Sequence, residues 1–307
     1  MSGIVLHHYP PSPVSEKVRV CLGVKGLDWH SVIIPRVPPK PKLMPLTGGF
    51  RLTPVMQIGA DIYCDSVCII RELENRFPKP TLFPDGDADA AWAIGRRTDQ
   101  QMFPVILAIV FSDGVQNMPE GFLEDRAQLY FGGNITIDSL RAQLADKLAE
   151  AHTHFAWIEA ALQKQSFLGG DAPGAADAFA YYVTWFLLGR YKDGPAFLAA
   201  YPNLMRWQAA VKAIGHGHPF ELTEDAALSL ARASEPLPSV GINQNDPSGF
   251  EADEMISVRP ENDKNITTGR LIGLSADRVS VLRHDPDVGP VAVHFPRAGY
   301  VITRVKA

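Results

Sequence analysis

A chain of 307 residues is long for one domain, so two or three are expected, and an apolar content of 46% is enough for sizeable cores. A net charge of −5 without a long single-sign run argues against a nucleic-acid protein. The longest apolar run, Phe103 to Phe111, is about half of what a membrane span needs. Cys21, Cys64 and Cys68 are an odd number without CxxC or zinc spacing, which fits a reducing cytosol. Nothing at Met1-Ser2-Gly3 resembles a signal peptide, and a soluble cytoplasmic protein is expected.

Ile4-Val5-Leu6 is a short buried-strand run ending in His7-His8-Tyr9 and a loop from Pro10 to Pro13. From Ser15 the apolar positions Val18, Val20, Cys21 and Val24 recur at helical spacing, and Lys25-Gly26 stops the helix. Trp29 to Ile34 is a second strand. Pro35 to Gly49, rich in Pro, Lys and Gly, reads as irregular. Thr53-Pro54-Val55 opens a strand, with Pro54 at its start because proline removes a ladder donor. Gly59-Ala60 is a turn and Asp61-Ile62-Tyr63 a returning strand, so Val55 to Cys64 forms a tight hairpin. Asp65-Ser66 then heads a helix with apolar positions Val67, Ile69, Ile70 and Leu73. Ser66 sits where helix N–H groups and the positive end of the dipole point outward, a place for a carboxylate. Asp65 beside it suits an ammonium group. The pair is complementary to a zwitterionic α-amino acid; alternatively, both residues only cap the helix.

Phe77 to Asp89 is a linker, after which the strand–helix alternation stops. Helical periodicity covers Ala90 to Phe111, Asp138 to Gln165, Ala175 to Leu188 and Leu204 to Ile214. Asp177 falls at the third position of its helix, facing a cap that is Gly174, so a reciprocal side-chain box is broken. Trp207 reads as core. The histidine pairs His7/His8, His152/His154 and His216/His218 lack metal-ligand spacing, and no metal is expected. Ser234 to Gly249 is a second linker. Beyond it Met255 to Val258, Thr268 to Leu274, Arg278 to Leu282, Val291 to Phe295 and Tyr300 to Val305 read as strands of a small barrel or strongly curved sheet. From Phe250 onward there are eight acids and eight bases, which lacks the footprint of a nucleic-acid barrel. A unit this small is marginal alone, so docking on its own chain or on a partner is expected.

The strand-first Pro54, the hairpin and the Asp65-Ser66 helix head resemble the glutathione-binding half of the glutathione transferase family. The order βαβ then ββα matches that family's thioredoxin-like domain. The run of helices matches its all-helical second domain, with the Gly169 to Asp177 segment and Tyr201-Pro202-Asn203-Leu204 as further points of similarity. The resemblance implies a fold of α/β thioredoxin-like domain (residues 1–80), all-α helical domain (88–233) and a small all-β, barrel-like tail (250–307) outside the family pattern. It also implies glutathione as co-substrate, a small electrophile as second substrate, a homodimer, and neither membrane nor nucleic acid as partner.

Ser12-Pro13-Val14-Ser15 occupies the place where thioredoxin-like proteins carry CxxC, and two hydroxyls there exclude disulfide exchange at that site. By resemblance Ser12 is the first choice to stabilise the glutathione thiolate and Tyr9 the second. A thiol with a pKa near ~8.5 needs roughly 2.7 kcal/mol of preferential thiolate stabilisation to drop by about two units. One hydroxyl hydrogen bond to an anion, ~1.5–3 kcal/mol, together with a helix N-terminus supplies that. The alternative is that Ser12 and Ser15 only cap the first helix. Glutathione contacts are implied for Thr53, Pro54 and Val55 (the cysteinyl part), for Asp65 and Ser66 (the γ-glutamyl end), and for Arg51 (the glycyl carboxylate, unless it is a solvated loop residue). A non-enzymatic binding or scaffold protein of the same fold, using the tail to engage a partner, is the rival reading.

Overall fold

A computed structural model of the chain describes residues 3–114, 118–133, 135–238 and 241–305. Met1 and Ser2 of the N-terminal reading, and Ser239 and Val240 of the expected second linker, lie outside them. The chain divides into two compact units, residues 1–15, 28–72 and 218–307 in the first and 16–27 and 73–217 in the second.

The first unit is built on one mixed sheet. β1 (Ile4–His8) is fully buried, and its parallel neighbour β2 (Asp28–Ile33) is reached through α1 (Pro13–Val24). α2 (Met44–Thr47) is a single helical turn inside the segment expected to be irregular. Proline in its first turn needs no donor there, and Gly48 at φ 73° closes it in a left-handed cap. β3 (Val55–Ile58) and β4 (Asp61–Cys64) form the expected hairpin, and Gly59 supplies the positive φ of 61° that its two-residue loop needs. α3 (Ser66–Arg76) follows at once.

The tail is the β unit expected, and it solves the problem of its exposed edge by pairing, not by closing on itself. Its strands lie in one eleven-stranded sheet with those of the thioredoxin-like half. β10 (Gly289–Pro296) runs parallel to β4, with Ala292 opposite Asp61, Val293 opposite Ile62 and His294 opposite Tyr63. β9 (Arg278–Asp285), β8 (Thr267–Leu274), β7 (Met255–Pro260) and β11 (Tyr300–Arg304) continue outward in that order. A short strand, β6 (Gly241–Ile242), pairs with β8. At the other edge β5 (His218–Glu221) lies parallel to β2.

A single hydrophobic core explains the grouping. Val5, Val32, Val55 and Ile62 from the first strands pack in one cluster with Ile256, Leu271, Val281, Val291, Val293 and Phe295 from the tail. Ala227 and Ala231 of α12 (Glu224–Arg232), a helix without a periodicity signal long enough to stand out, belong to it too. The grouping therefore differs from the three domains expected at 1–80, 88–233 and 250–307. The apolar faces of the tail strands and of β1 to β4 bury one another. A buried network reinforces the seam: His294 bonds Ser280 Oγ through Nδ1 (2.8 Å) and Asp61 Oδ1 through Nε2 (3.0 Å). Its ring stacks on Tyr63 at 4.5 Å between centroids. These three polar residues are 0–4% exposed, so the hydroxyl–imidazole–carboxylate chain acts as a strand clamp.

The second unit is helical. α4 (Ala88–Arg97) is capped by Asp87, whose Oδ1 accepts from the Ala90 N–H. A wider turn at Thr98–Met102 separates it from α5 (Phe103–Ser112), so the single expected helix is two. α5 is buried within one chain at every position but Pro104, which makes the apolar run from Phe103 to Phe111 a core helix. α6 (Phe122–Tyr130) is a helix the periodicity did not resolve, and the single helix expected from Asp138 to Gln165 is two, α7 (Ile137–Ala142) and α8 (Leu144–Leu162). α9 (Ala175–Arg190) is the buried central helix, followed by the short α10 (Gly194–Leu198) and by α11 (Pro202–Ile214). Gly174 offers no side chain, and Asp177 compensates: its carboxylate accepts from the N–H of Gly174 (2.9 Å), from that of Leu168 (2.8 Å) and from Trp207 Nε1 (2.7 Å). Burial pushes its pKa up while those three donors pull it back.

Candidate functional site

The strand registers set the frame. Val55 lies opposite His7 on one side and Cys64 on the other. The C-terminal ends of β1 and β4 and the start of β3 therefore meet at one end of the sheet. Tyr9 and Ser12, Thr53-Pro54, and Asp65-Ser66 all emerge there, although together they span more than fifty residues of sequence. The Thr53–Pro54 peptide bond is cis. Pro54 and Val55 are buried, and Val55 belongs to the core of the first unit.

Ser12 is the N-cap of α1. Its Oγ accepts from the backbone N–H of Ser15 at 3.2 Å and from the Ser15 hydroxyl at 2.9 Å, and its own N–H donates to Tyr9 O at 3.1 Å. The capping reading of Ser12 and Ser15 is thus physically present. It does not displace the chemical one, because a hydroxyl that accepts from two donors is polarised into a stronger donor itself. Tyr9 is 8% exposed and packs in the hydrophobic core, with Lys40 Nζ lying 5.9 Å from its ring centre.

Asp65 takes the cap position of α3. Its Oδ1 accepts from the Val67 N–H at 2.8 Å and its carbonyl from Ile69 N, and it holds φ at 79°, a left-handed conformation that a non-glycine residue adopts at a cost of about 1–3 kcal/mol. Ser66 is the first residue of the helix and 3% exposed.

Three residues outside the expected set meet these groups. Lys40, only 5% exposed, donates from Nζ to Thr53 Oγ1 at 3.0 Å. It lies in the segment read as irregular, which gave no periodicity to mark it. Tyr300, on β11, donates its hydroxyl to Asp65 Oδ2 at 3.0 Å; burial, then the Asp65 charge, pushes its phenol far up, so it remains a proton donor. Asp263, in the loop between β7 and β8, places Oδ2 2.9 Å from Arg51 Nε. Arg51 is therefore neither a solvated loop residue nor an isolated cation. Nothing local in the sequence signals either tail contact. The tail also grips α3 through Arg278 with Glu72 (3.0 Å) and Asp277 with Arg71 (3.0 Å).

The three cysteines are buried and unbridged; burial pushes the Cys21 thiol up to about 12 and raises Cys64 and Cys68 as well, so none of them is a thiolate. No group of three or more His, Cys, Asp or Glu side chains able to hold a metal ion occurs among the described residues. No helix among them is long and apolar enough to cross a membrane.

A thioredoxin-like sheet with a cis proline before its third strand and an acid–serine pair heading the next helix, followed by an all-helical unit, defines a glutathione transferase-like architecture. The chain belongs to the glutathione S-transferase family. The model of that family's N-terminal domain matches residues 6–81 and the model of its C-terminal domain residues 141–210. A GST-like protein from Pseudomonas syringae is 32% identical with a TM-score of 0.81, covering 99% of this chain and 100% of that one, so the likeness includes the tail. Glutathione S-transferase I bound with lactoylglutathione is 19% identical, with a TM-score of 0.52 over 69% of this chain and 98% of that one. Poplar glutathione transferase F1 is 14% identical, with a TM-score of 0.55 over 76% and 100%. These last two are likenesses of fold alone, and they leave about a quarter to a third of this chain uncovered. Comparison with curated proteins found no match.

Proposed function

We propose that the chain is a glutathione transferase: it binds glutathione in the first unit, holds the thiol ionised beside Ser12, and presents it to a small electrophile. The observation that carries the reading is the convergence, at one end of the sheet, of the cis Thr53–Pro54 bond, Val55 and the Asp65-Ser66 helix head. Asp65 takes the γ-glutamyl ammonium group. The N–H groups and hydroxyl at Ser66, at the positive end of α3, take its carboxylate. Val55 offers its backbone to the cysteinyl residue. Ser12 Oγ, polarised by Ser15, donates to the thiolate, and the N-terminus of α1 adds its dipole. Tyr9, packed in the core, is the second choice for that role. Attack of the thiolate sulfur on the electrophile forms the new C–S bond, and the leaving group departs with the electron pair. No metal or further cofactor takes part.

Ser12→Ala tests the chemistry. The apparent pKa of bound glutathione, read from the pH dependence of transfer to a chloronitroaryl electrophile, is expected to rise by about one to two units, with binding little changed. Superimposable pH profiles for wild type and variant would move the role to Tyr9 or to no side chain. The buried free cysteines suit a reducing compartment, the cytoplasm, and the family leads us to expect a homodimer, which light scattering reads as one chain mass or two. A second reading is favoured by one specific pair of contacts, Arg51 with Asp263 and Asp65 with Tyr300. It is a non-enzymatic member that uses the fold as a binding or scaffold module. Glutathione binding without any transfer would select it.

A further inference from the structure

A glutathione site that reads both ends of its ligand needs an anion for the γ-glutamyl ammonium group and a cation for the glycyl carboxylate. Here the C-terminal β unit meets both residues assigned to those ends, and the two contacts differ in kind. Tyr300 is a neutral donor. It leaves Asp65 its charge and fixes the carboxylate from one side, while the Val67 N–H fixes it from the other. Asp263 is an anion. Its side chain is 3% exposed and that of Arg51 14%, so their charges cancel in a pair largely removed from water. Asp263 is itself held in place, its Oδ1 accepting from Asn265 N (3.0 Å) and Asn265 Nδ2 (2.6 Å). A desolvated ion pair presents no net charge to a third group, and drawing Arg51 away to a ligand carboxylate leaves a buried acid unpaired. A second cation near the site, Lys40, is 5% exposed and bonded to Thr53.

We propose that the C-terminal β unit sets the specificity of the site: Tyr300 is the positioning residue for Asp65, and Asp263 takes the place of a ligand carboxylate on Arg51. The site then recognises the γ-glutamyl end and makes no demand for charge at the other. The ligand class is γ-glutamyl thiols in general, including those whose far carboxylate is esterified, amidated or extended. This inference rests on the reading of Asp65 and Ser66 as the γ-glutamyl subsite.

Calorimetric titration of the full chain with glutathione and with its glycyl ethyl ester separates the two claims. Wild type is expected to bind the two ligands within about threefold of each other. Asp263→Asn keeps the acceptor for Asn265 and releases the Arg51 charge, so it should favour free glutathione over the ester by about tenfold. Tyr300→Phe should weaken both ligands alike by about five- to tenfold with their ratio unchanged. A glutathione-to-ester ratio that is the same in wild type and Asp263→Asn overturns the role of Asp263. Undiminished binding of both ligands by Tyr300→Phe overturns that of Tyr300. Asp263→Ser, which also frees Arg51, replaces Asp263→Asn if that variant melts early. Failure of wild type and every variant to bind either ligand removes the γ-glutamyl reading itself, a different outcome from an unchanged ratio.

Discussion

Phe295→Ala, a substitution in the tail, is expected to destabilise the whole first unit by about 3–5 kcal/mol, the usual cost of emptying a buried aromatic position. Phe295 is 0% exposed, with ring centroids 5.9 Å from Phe50 and 5.6 Å from Tyr300. Phe50 belongs to the loop before the cis proline and Tyr300 to the strand that reaches Asp65. The cavity therefore opens in the middle of a core shared by both ends of the chain. Denaturant unfolding gives the magnitude, and native-state hydrogen exchange gives its distribution: amides of β1 and β3 should lose protection together with those of β9 and β10. Loss confined to the tail strands would mean that the tail is a separately folding module. For the same reason, ending the chain at Ser234 should leave the first unit unable to fold, since it removes β7 to β11 and every tail residue of the cluster.

Acidification should weaken the protein between pH 6.5 and about 4 through His7. This side chain is 2% exposed at the end of β1, its Nε2 2.9 Å from Gln57 Oε1, and burial lowers its pKa from 6.5 to about 4. Gln57 is oriented by its own bonds to the carbonyls of Gly59 and Ala227. Above pH 6.5 the histidine is neutral in both states and the full stability is present. As pH falls through 6.5 the unfolded chain takes up a proton that the folded one refuses. The loss grows until the folded group titrates near 4, reaching about 3 kcal/mol at roughly 1.4 kcal/mol per unit. His294, also lowered by burial, adds with the same sign. Carboxylates contribute to any acid transition, so the comparison that isolates His7 is wild type against His7→Gln. The variant should show a shallower fall of unfolding free energy over this interval. Parallel curves would mean that His7 is protonated in the fold or reaches water.

Local chemistry made much of the first half of the chain legible. Pro54 has to sit where no ladder donor is needed, Gly59 has to supply a positive φ, and Asp65 next to an apolar period has to cap a helix; each of these is decided within a few residues. The buried central helix was equally readable, although the way Asp177 substitutes Leu168 and Trp207 for a missing cap side chain was not. α2 escaped because one turn amid prolines has no period. What the sequence did not disclose is long-range. The parallel pairing of β10 with β4 joins residues more than two hundred positions apart, and no turn or spacing encodes it. The tail strands were recognisable by alternation, but which edge they would cover was not. With that pairing went the partners of the site itself, since Asp263 and Tyr300 reach Arg51 and Asp65 only when the sheets are fused. The Phe-rich α5 shows the converse limit, because an apolar run reads the same whether it faces its own core or a second copy.

The most direct test of the central claim is a calorimetric titration of the intact wild-type chain with glutathione, repeated with Ser66→Ala. Ser66 is the first residue of α3 and adds a hydroxyl to the helix N-terminus that receives the γ-glutamyl carboxylate. Wild type should bind glutathione, and the variant, with an unchanged melting temperature, should bind it about ten- to a hundredfold more weakly, the value of one hydrogen bond to a charged group. Absence of binding at millimolar glutathione by a folded wild-type chain would contradict the account.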